Sequence, residues 1–150
     1  MNLKTERHTI LVVEDNLGDF VLLQDYLEEH EPVPVILRAT TFKETQDIIK
    51  NTSYKLDVIL LDLSLPDKSG EELINEVLQL SGQIPVIVLT GYVDENFAVK
   101  SLSLGAADYM LKDELTALSI YKSILYCIER QKSLAKIKIS DSVGDKRLTK

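Results

Sequence analysis

The amino-acid sequence predicts an α/β fold, an open parallel sheet covered by helices on both faces. Three observations carry that expectation. Short β-branched or leucine-rich runs alternate with amphipathic segments of helical period along the chain. The apolar runs lack the every-other-residue polarity of a half-exposed strand, so they read as strands buried on both sides. The links between them are short and carry Pro, Gly and N-cap residues. At 150 residues and 45% apolar content, the chain has room for one core of this kind.

Thr9 to Val13 (TILVV) is the first strand, ended by acids, with Asn16 where a helix cap belongs. From Leu17 to His30, Phe20, Leu23 and Leu27 recur at helical spacing, while Asp19, Gln24, Glu28 and Glu29 fill the other side. Pro32 and Pro34 close that helix, and Val35 to Leu37 form a shorter strand whose prolines suit a sheet edge. Thr41 with Glu44 makes a capping box for a helix to about Lys50. Leu56 to Leu63 (LDVILLDL) is the strongest strand signal, interrupted by Asp57 and Asp62. After it SLPDKSG provides a loop, and Ser69 with Glu72 makes a second capping box for a helix Glu71 to Leu80. Pro85 to Thr90 is the fourth strand, Asp94 caps a helix that stops at Gly105, and Asp108 to Leu111 is the fifth strand. A long helix runs from about Glu114 to Ile137. Five strands alternating with five helices imply right-handed crossovers.

Composition narrows the function. No apolar run approaches the roughly 20 residues a membrane helix needs, and Met1 to Arg7 is polar, so a soluble cytoplasmic protein is expected. Cys127 is the single cysteine, which excludes an internal disulfide or a cysteine metal cluster and reads as a small packed hydrophobe. A net charge of −7 argues against direct nucleic-acid binding, which rests mainly on Lys and Arg. From Lys136 onward five basic residues face two acids, leaving +3 there and −10 in the preceding body. Short terminal clusters of this kind are ordinarily solvated, although they can act as weak docking elements.

In open parallel sheets, functional groups collect at the carboxyl ends of the strands near the switch in strand order. Here those ends carry Glu14 and Asp15, Asp62, Thr90 and Lys112. Three close carboxylates repel one another, and the usual remedies are a raised pKa or a bound cation. Hard oxygen donors without His or Cys favour Mg²⁺, and a lysine and a hydroxyl beside it suit a phosphoryl group. Each residue also has a plainer reading: Asp57 as a surface acid, Glu14 as a helix-start charge, Thr90 as an ordinary strand residue.

With those motifs in place, the chain resembles the receiver domain of bacterial two-component response regulators over about Thr9 to Ala135. The resemblance lies in VVEDN (Val12 to Asn16), LLDLSLPDKSG (Leu60 to Gly70), PVIVLTG (Pro85 to Gly91) and GAADYMLK (Gly105 to Lys112). It implies a flavodoxin-like, CheY-like fold with five parallel strands in the order 2-1-3-4-5. It also implies that Asp62 accepts a phosphoryl group from a histidine kinase or phosphotransfer protein. Asp15 and Asp62 would hold Mg²⁺ directly, with the Ser64 main-chain carbonyl as a further ligand and Glu14 acting largely through water. Lys112 and Thr90 would bind phosphoryl oxygens, and Tyr109 would be the aromatic that turns inward when the threonine moves; by itself it reads as a packed strand-end ring. Ser64 and Tyr92 occupy the positions that tune phosphoryl lifetime in the family. Asp113 departs from the pattern, standing after Lys112 where many receivers have a cis proline; without proline a cis bond costs about 2.5–4 kcal/mol.

Two other classes share parts of the pattern. A haloacid-dehalogenase-type phosphatase also uses a strand-end aspartate with Mg²⁺, but it usually has a second Asp where this chain has Ser64. A flavodoxin-like cofactor binder shares the element order, yet no Ser/Thr/Gly-rich phosphate loop follows the first strand. Residues 1–137 are expected to form the receiver unit, and 138–150 a flexible basic tail or the start of a linker. The last helix shows Leu118, Tyr121, Leu125 and Ile128 as its core stripe, and beyond Arg130 it presents Leu134, Ile137 and Ile139 for a second copy or a following domain.

Overall fold

The fold rests on strands whose alternate residues are apolar on both sides, so each central strand feeds two layers. In the computed structural model, the structure describes residues 7–148 apart from Thr52, Tyr54, Tyr92 and Val93, with side chains as far as Ile137. The elements are β1 (Thr9–Val13), α1 (Leu17–Glu28), β2 (Val35–Ala39), α2 (Phe42–Lys50), β3 (Val58–Asp62), α3 (Gly70–Ser81), β4 (Val86–Thr90), α4 (Glu95–Leu104), β5 (Asp108–Leu111) and α5 (Ala117–Leu148). A single 3-10 turn, Lys112–Glu114, joins β5 to α5. All four strand pairings are parallel, in the order β2-β1-β3-β4-β5. This is the expected sheet, with β2 on an edge as its prolines required.

Leu11 and Val13 of β1, Ile59 and Leu61 of β3, and Val86 and Val88 of β4 pack with Leu73, Ile74 and Val77 of α3 on one face. Ile10, Val12, Val58, Leu60, Ile87 and Leu89 point the other way, onto Leu23 and Leu27 of α1 and Ile120, Ile124, Cys127 and Ile128 of α5. Each such fully buried side chain contributes about 1.5–3 kcal/mol relative to exposure. A slip of one residue would exchange the two faces, so packing on both sides together with the ladder holds the register.

Most cap expectations hold, with instructive differences. Asn16 accepts from Asp19 N, and Asp94 from Phe97 N. Thr41 caps Glu44 N, and the Glu44 carboxylate reaches back mainly to Thr40 N and Oγ1, with the Thr41 N–H as a lesser partner. The Ser69–Glu72 box does not form: the Ser69 side chain makes no cap bond, and the Glu72 carboxylate lies 3.5 Å from the Lys68 ammonium. Helix α5 starts at Ala117, behind a reciprocal Thr116–Ser119 cap, rather than at Glu114. It continues helically past the expected end near Ile137 to Leu148. Its buried stripe is also shifted: Ile120, Ile124, Cys127 and Ile128 face the sheet, Leu118 is 58% exposed, and Tyr121 stacks on His30 at 3.8 Å. By helical spacing Leu118 lies on a different face from that stripe and so points away from the sheet. Among the described residues no helix is long and apolar enough to cross a membrane.

Candidate functional site

The chain leaves β1 for β2 on one side and later reaches β3 on the other, so the switch point lies between the carboxyl ends of β1 and β3. Val13 pairs with Leu61 in register, which sets Glu14 and Asp62 beside each other just past the last shared rung. Thr90 ends β4, paired with Leu111, so Lys112 follows on the neighbouring strand. Glu14 and Asp62 are only 3% and 6% exposed, and Thr90 is likewise buried, whereas Asp15 faces solvent. Ser64 lies two residues beyond Asp62, bridged to Ser69 across the loop.

The Lys112 ammonium stands among acids: Glu14 Oε1 at 2.6 Å, Asp19 Oδ2 at 3.0 Å and Asp62 Oδ1 at 3.1 Å. Burial pushes the Glu14 carboxyl above its ordinary range, and the charge of Asp62 adds to that, against the opposing pull of Lys112. Burial likewise raises Asp62, with Lys112 opposing and Asp15 reinforcing. For Lys112 burial acts downward, but the hydrogen bonds to Glu14 and Asp19 and the charge of Asp62 outweigh it and hold the ammonium above its usual pKa. One lysine therefore serves two buried carboxylates that remain short of positive charge.

Glu14, Asp15 and Asp62 each offer an oxygen, and these atoms lie within 4.8 Å of one another. An all-oxygen, acid-rich donor set that raises its own pKa values suits a hard divalent cation such as Mg²⁺. Sequence expectation and structure agree on bringing Glu14, Asp15, Asp62 and Lys112 together at the end of the sheet where Thr90 also lies. Tyr109 lies apart from this group. Half-buried on β5, it packs against the core face that Val86 and Val88 of β4 share with α3 and lines a cavity of about 440 Å³ with Asp94, Glu95 and Ala98. Tyr92 lies outside the described residues. The Lys112–Asp113 peptide is trans, since Glu31–Pro32 is the cis bond among the described residues; the cost of a non-proline cis bond accounts for it.

Two residues at the site escaped sequence reasoning. Asp19 was counted among the solvent acids of α1; its spacing of four from Asp15, in the first turn, was the available signal. Arg38 of the edge strand β2 donates to the main-chain carbonyls of Glu14 (3.1 Å) and Asp15 (3.3 Å) while lying over the Phe20 ring, and so fixes the acidic loop from behind. Asp57, read as a surface acid, is instead a structural one: its Oδ2 accepts from Thr9 N at 2.8 Å and ties β1 to β3.

Fold and site together define an α/β protein with an acidic, cation-seeking cleft at the switch point of a doubly wound sheet. Residues 10–120 match the family described as response regulator receiver domain, and the chain belongs to that family. It is a receiver domain of two-component signalling. It is 39% identical over 117 residues to the transcriptional regulatory protein KdpE of Staphylococcus aureus, covering 72% of this chain and 46% of that protein. Against the response regulator SaeR of Staphylococcus epidermidis it is 30% identical over 103 residues, 69% of this chain and 43% of that one. The chain thus spans just under half the length of these relatives. Among solved structures, a receiver domain from Clostridium thermocellum superimposes with a TM-score of 0.73 at 28% identity, covering 85% of this chain and 98% of that one. A CheY-like receiver from Methanospirillum hungatei gives 0.73 at 26% identity, with the same coverage.

Proposed function

We propose that Asp62 is the phosphoacceptor and that the cleft around it carries out Mg²⁺-dependent phosphoryl transfer from the phosphohistidine of a histidine kinase or phosphotransfer protein. An Asp62 Oδ atom attacks phosphorus as the P–N bond breaks; the imidazole departs with the bond pair and takes a proton. Lys112, already 3.1 Å from Asp62 Oδ1, bonds a phosphoryl oxygen, and the Thr90 hydroxyl donates to another. Asp15, Asp62 and the Ser64 main-chain carbonyl would hold Mg²⁺, with Glu14 acting largely through water, and the ion would supply charge neutralisation for the phosphoryl oxygens. The observation that carries this reading is the pair of buried, charge-starved carboxylates beside one lysine at the switch point.

The chemistry of this receiver unit is the gain and loss of its own phosphoryl group. Tyr109, beside its open cavity, turns inward with Thr90 and alters the surface offered to partners. Residues 1–137 form the receiver unit of this cytoplasmic switch. The helix beyond Arg130, with Leu134 and Ile137 exposed, pairs with a second copy or leads into a following domain, with no direct role for nucleic acid or membrane. Family membership favours neither a haloacid-dehalogenase-type phosphatase nor a flavodoxin-like cofactor binder.

Incubation with acetyl phosphate or phosphoramidate and Mg²⁺, read by intact mass, tests the assignment. The chain gains one phosphoryl group and Asp62→Asn gains none; undiminished labelling of the variant overturns it.

A further inference from the structure

Three carboxylates hold the Lys112 ammonium, but only two of them belong to the chemistry proposed above. Glu14 and Asp62 face the divalent cation and the phosphoryl group, so their hold on Lys112 changes as the site is loaded. Asp19 does not face them. Its side chain is 48% exposed, against 4% for Glu14 and 8% for Asp62, and it reaches Lys112 from the first turn of α1.

Asp19 is itself pinned. Its backbone N–H donates to Asn16 Oδ1 at 2.9 Å, and Gly18 leaves the Asn16 side chain room to fold over, since a Cβ there would come within 3.3 Å of that oxygen. Packing does not fix Lys112 in the same way. Lys112 itself lines a cavity of about 80 Å³ with Glu14, Asp19 and the apolar Leu22, Leu23 and Leu89, so its flexible four-carbon stem is not closely packed on every side.

We propose that Asp19 is a positioning residue for phosphoryl transfer to Asp62: it anchors the Lys112 ammonium when the divalent cation engages Glu14 and the phosphoryl group covers the charge of Asp62. This rests on the phosphoacceptor reading of Asp62. One Lys112 N–H stays on Asp19 while the two now shared with Glu14 and Asp62 turn to phosphoryl oxygens, so the ammonium keeps its place as the charge arrives and less of it has to reorganise. Asp19 also repels the incoming phosphoryl group, but it does so from the solvent side and across the Lys112 charge. Screening makes that repulsion the smaller effect.

The test compares initial rates of phosphorylation by phosphoramidate at saturating Mg²⁺ for the full chain, Asp19→Ala, Asp19→Glu, Lys112→Ala and the Lys112→Ala/Asp19→Ala double variant. Mg²⁺ affinity is measured alongside by calorimetry. Asp19→Ala is expected to be about two- to fivefold slower, the range open to a half-exposed ion pair, with Mg²⁺ affinity unchanged and Asp19→Glu recovering part of the rate. In the Lys112→Ala background the loss of Asp19 makes no further difference. An equal slowing in both backgrounds, or a faster Asp19→Ala protein, overturns the anchoring role. An unchanged Asp19→Ala rate in a chain that still labels at Asp62 overturns this inference alone, whereas a wild-type chain that takes up no phosphoryl group overturns the phosphoacceptor reading with it.

Discussion

The two ends of the sheet treat their acids in opposite ways, half-buried at one end and buried at the other. At the amino ends of the strands, Asp57 accepts from Thr9 N, and Asp108 accepts from Tyr109 N and the Ser123 hydroxyl. Each has neutral donors of its own, so its charge is solvated by the fold. At the carboxyl ends, Glu14 and Asp62 are set side by side, buried, and left to share Lys112 with Asp19. The difference shows that an acid in a strand run is not by itself a sign of chemistry. Crowded acids whose protonation equilibria are pushed up by burial and by one another are that sign.

The largest expected effect belongs to the crowded end. Because the folded chain holds the Glu14 and Asp62 pKa values above their ordinary 4.5 and 3.8, it binds more protons than the unfolded chain between the ordinary and the raised values. Stability therefore falls as pH rises through that window, and the cost is fully present above it. Glu44 and Asp67 are lowered, so the stability they add is present above their ordinary values and lost as pH falls through the depressed ones. In chelator the melting temperature should peak on the acid side of neutrality. At pH 7, Mg²⁺ at a hundredfold excess over its dissociation constant should add about 2.7 kcal/mol, and very little near pH 4. Thermal melts across pH with and without Mg²⁺ check this, and a flat response to Mg²⁺ at pH 7 removes the contrast between the two ends.

Asp57→Ala should be the next largest. It leaves Thr9 N–H without its acceptor and is expected to cost about 1–2 kcal/mol in urea unfolding while phosphorylation proceeds at the wild-type rate. A variant that loses phosphorylation would show that the amino end also serves the chemistry. Asp67→Ala should follow at about 1 kcal/mol. Its carboxylate accepts from Phe42 N and Lys43 N and so caps α2 from the neighbouring loop, an effect that should shrink in parallel with acidification. Ser69→Ala should be smallest, within about 0.5 kcal/mol, since that side chain caps nothing. A loss near 1 kcal/mol in the same melts would restore the capping box.

These cases mark where sequence reading works. Element order, the buried strands and the caps at Asn16, Thr41 and Asp94 were legible because periodicity and capping are local: donor and acceptor lie within a few residues. The principal site was legible for a related reason. Strand ends in a parallel sheet must converge, so Glu14, Asp15, Asp62, Thr90 and Lys112 could be gathered without coordinates.

What lay beyond the sequence were choices between competing partners. Glu72 met Lys68 while Ser69 capped nothing, Asp67 capped a helix preceding it in the chain, and Ile120 rather than Leu118 began the buried stripe of α5. Asp57 and Asp62 have the same side chain and lie at the two ends of one apolar run. Only the register of β1 against β3 gave one a backbone N–H and the other a second carboxylate. The sequence by itself determined the layers and the place of the site, because those follow from burial averaged over whole elements. Tertiary structure alone decided which acid was neutralised, because a hydrogen bond or an ion pair is won by the partner that packing brings within about 3 Å.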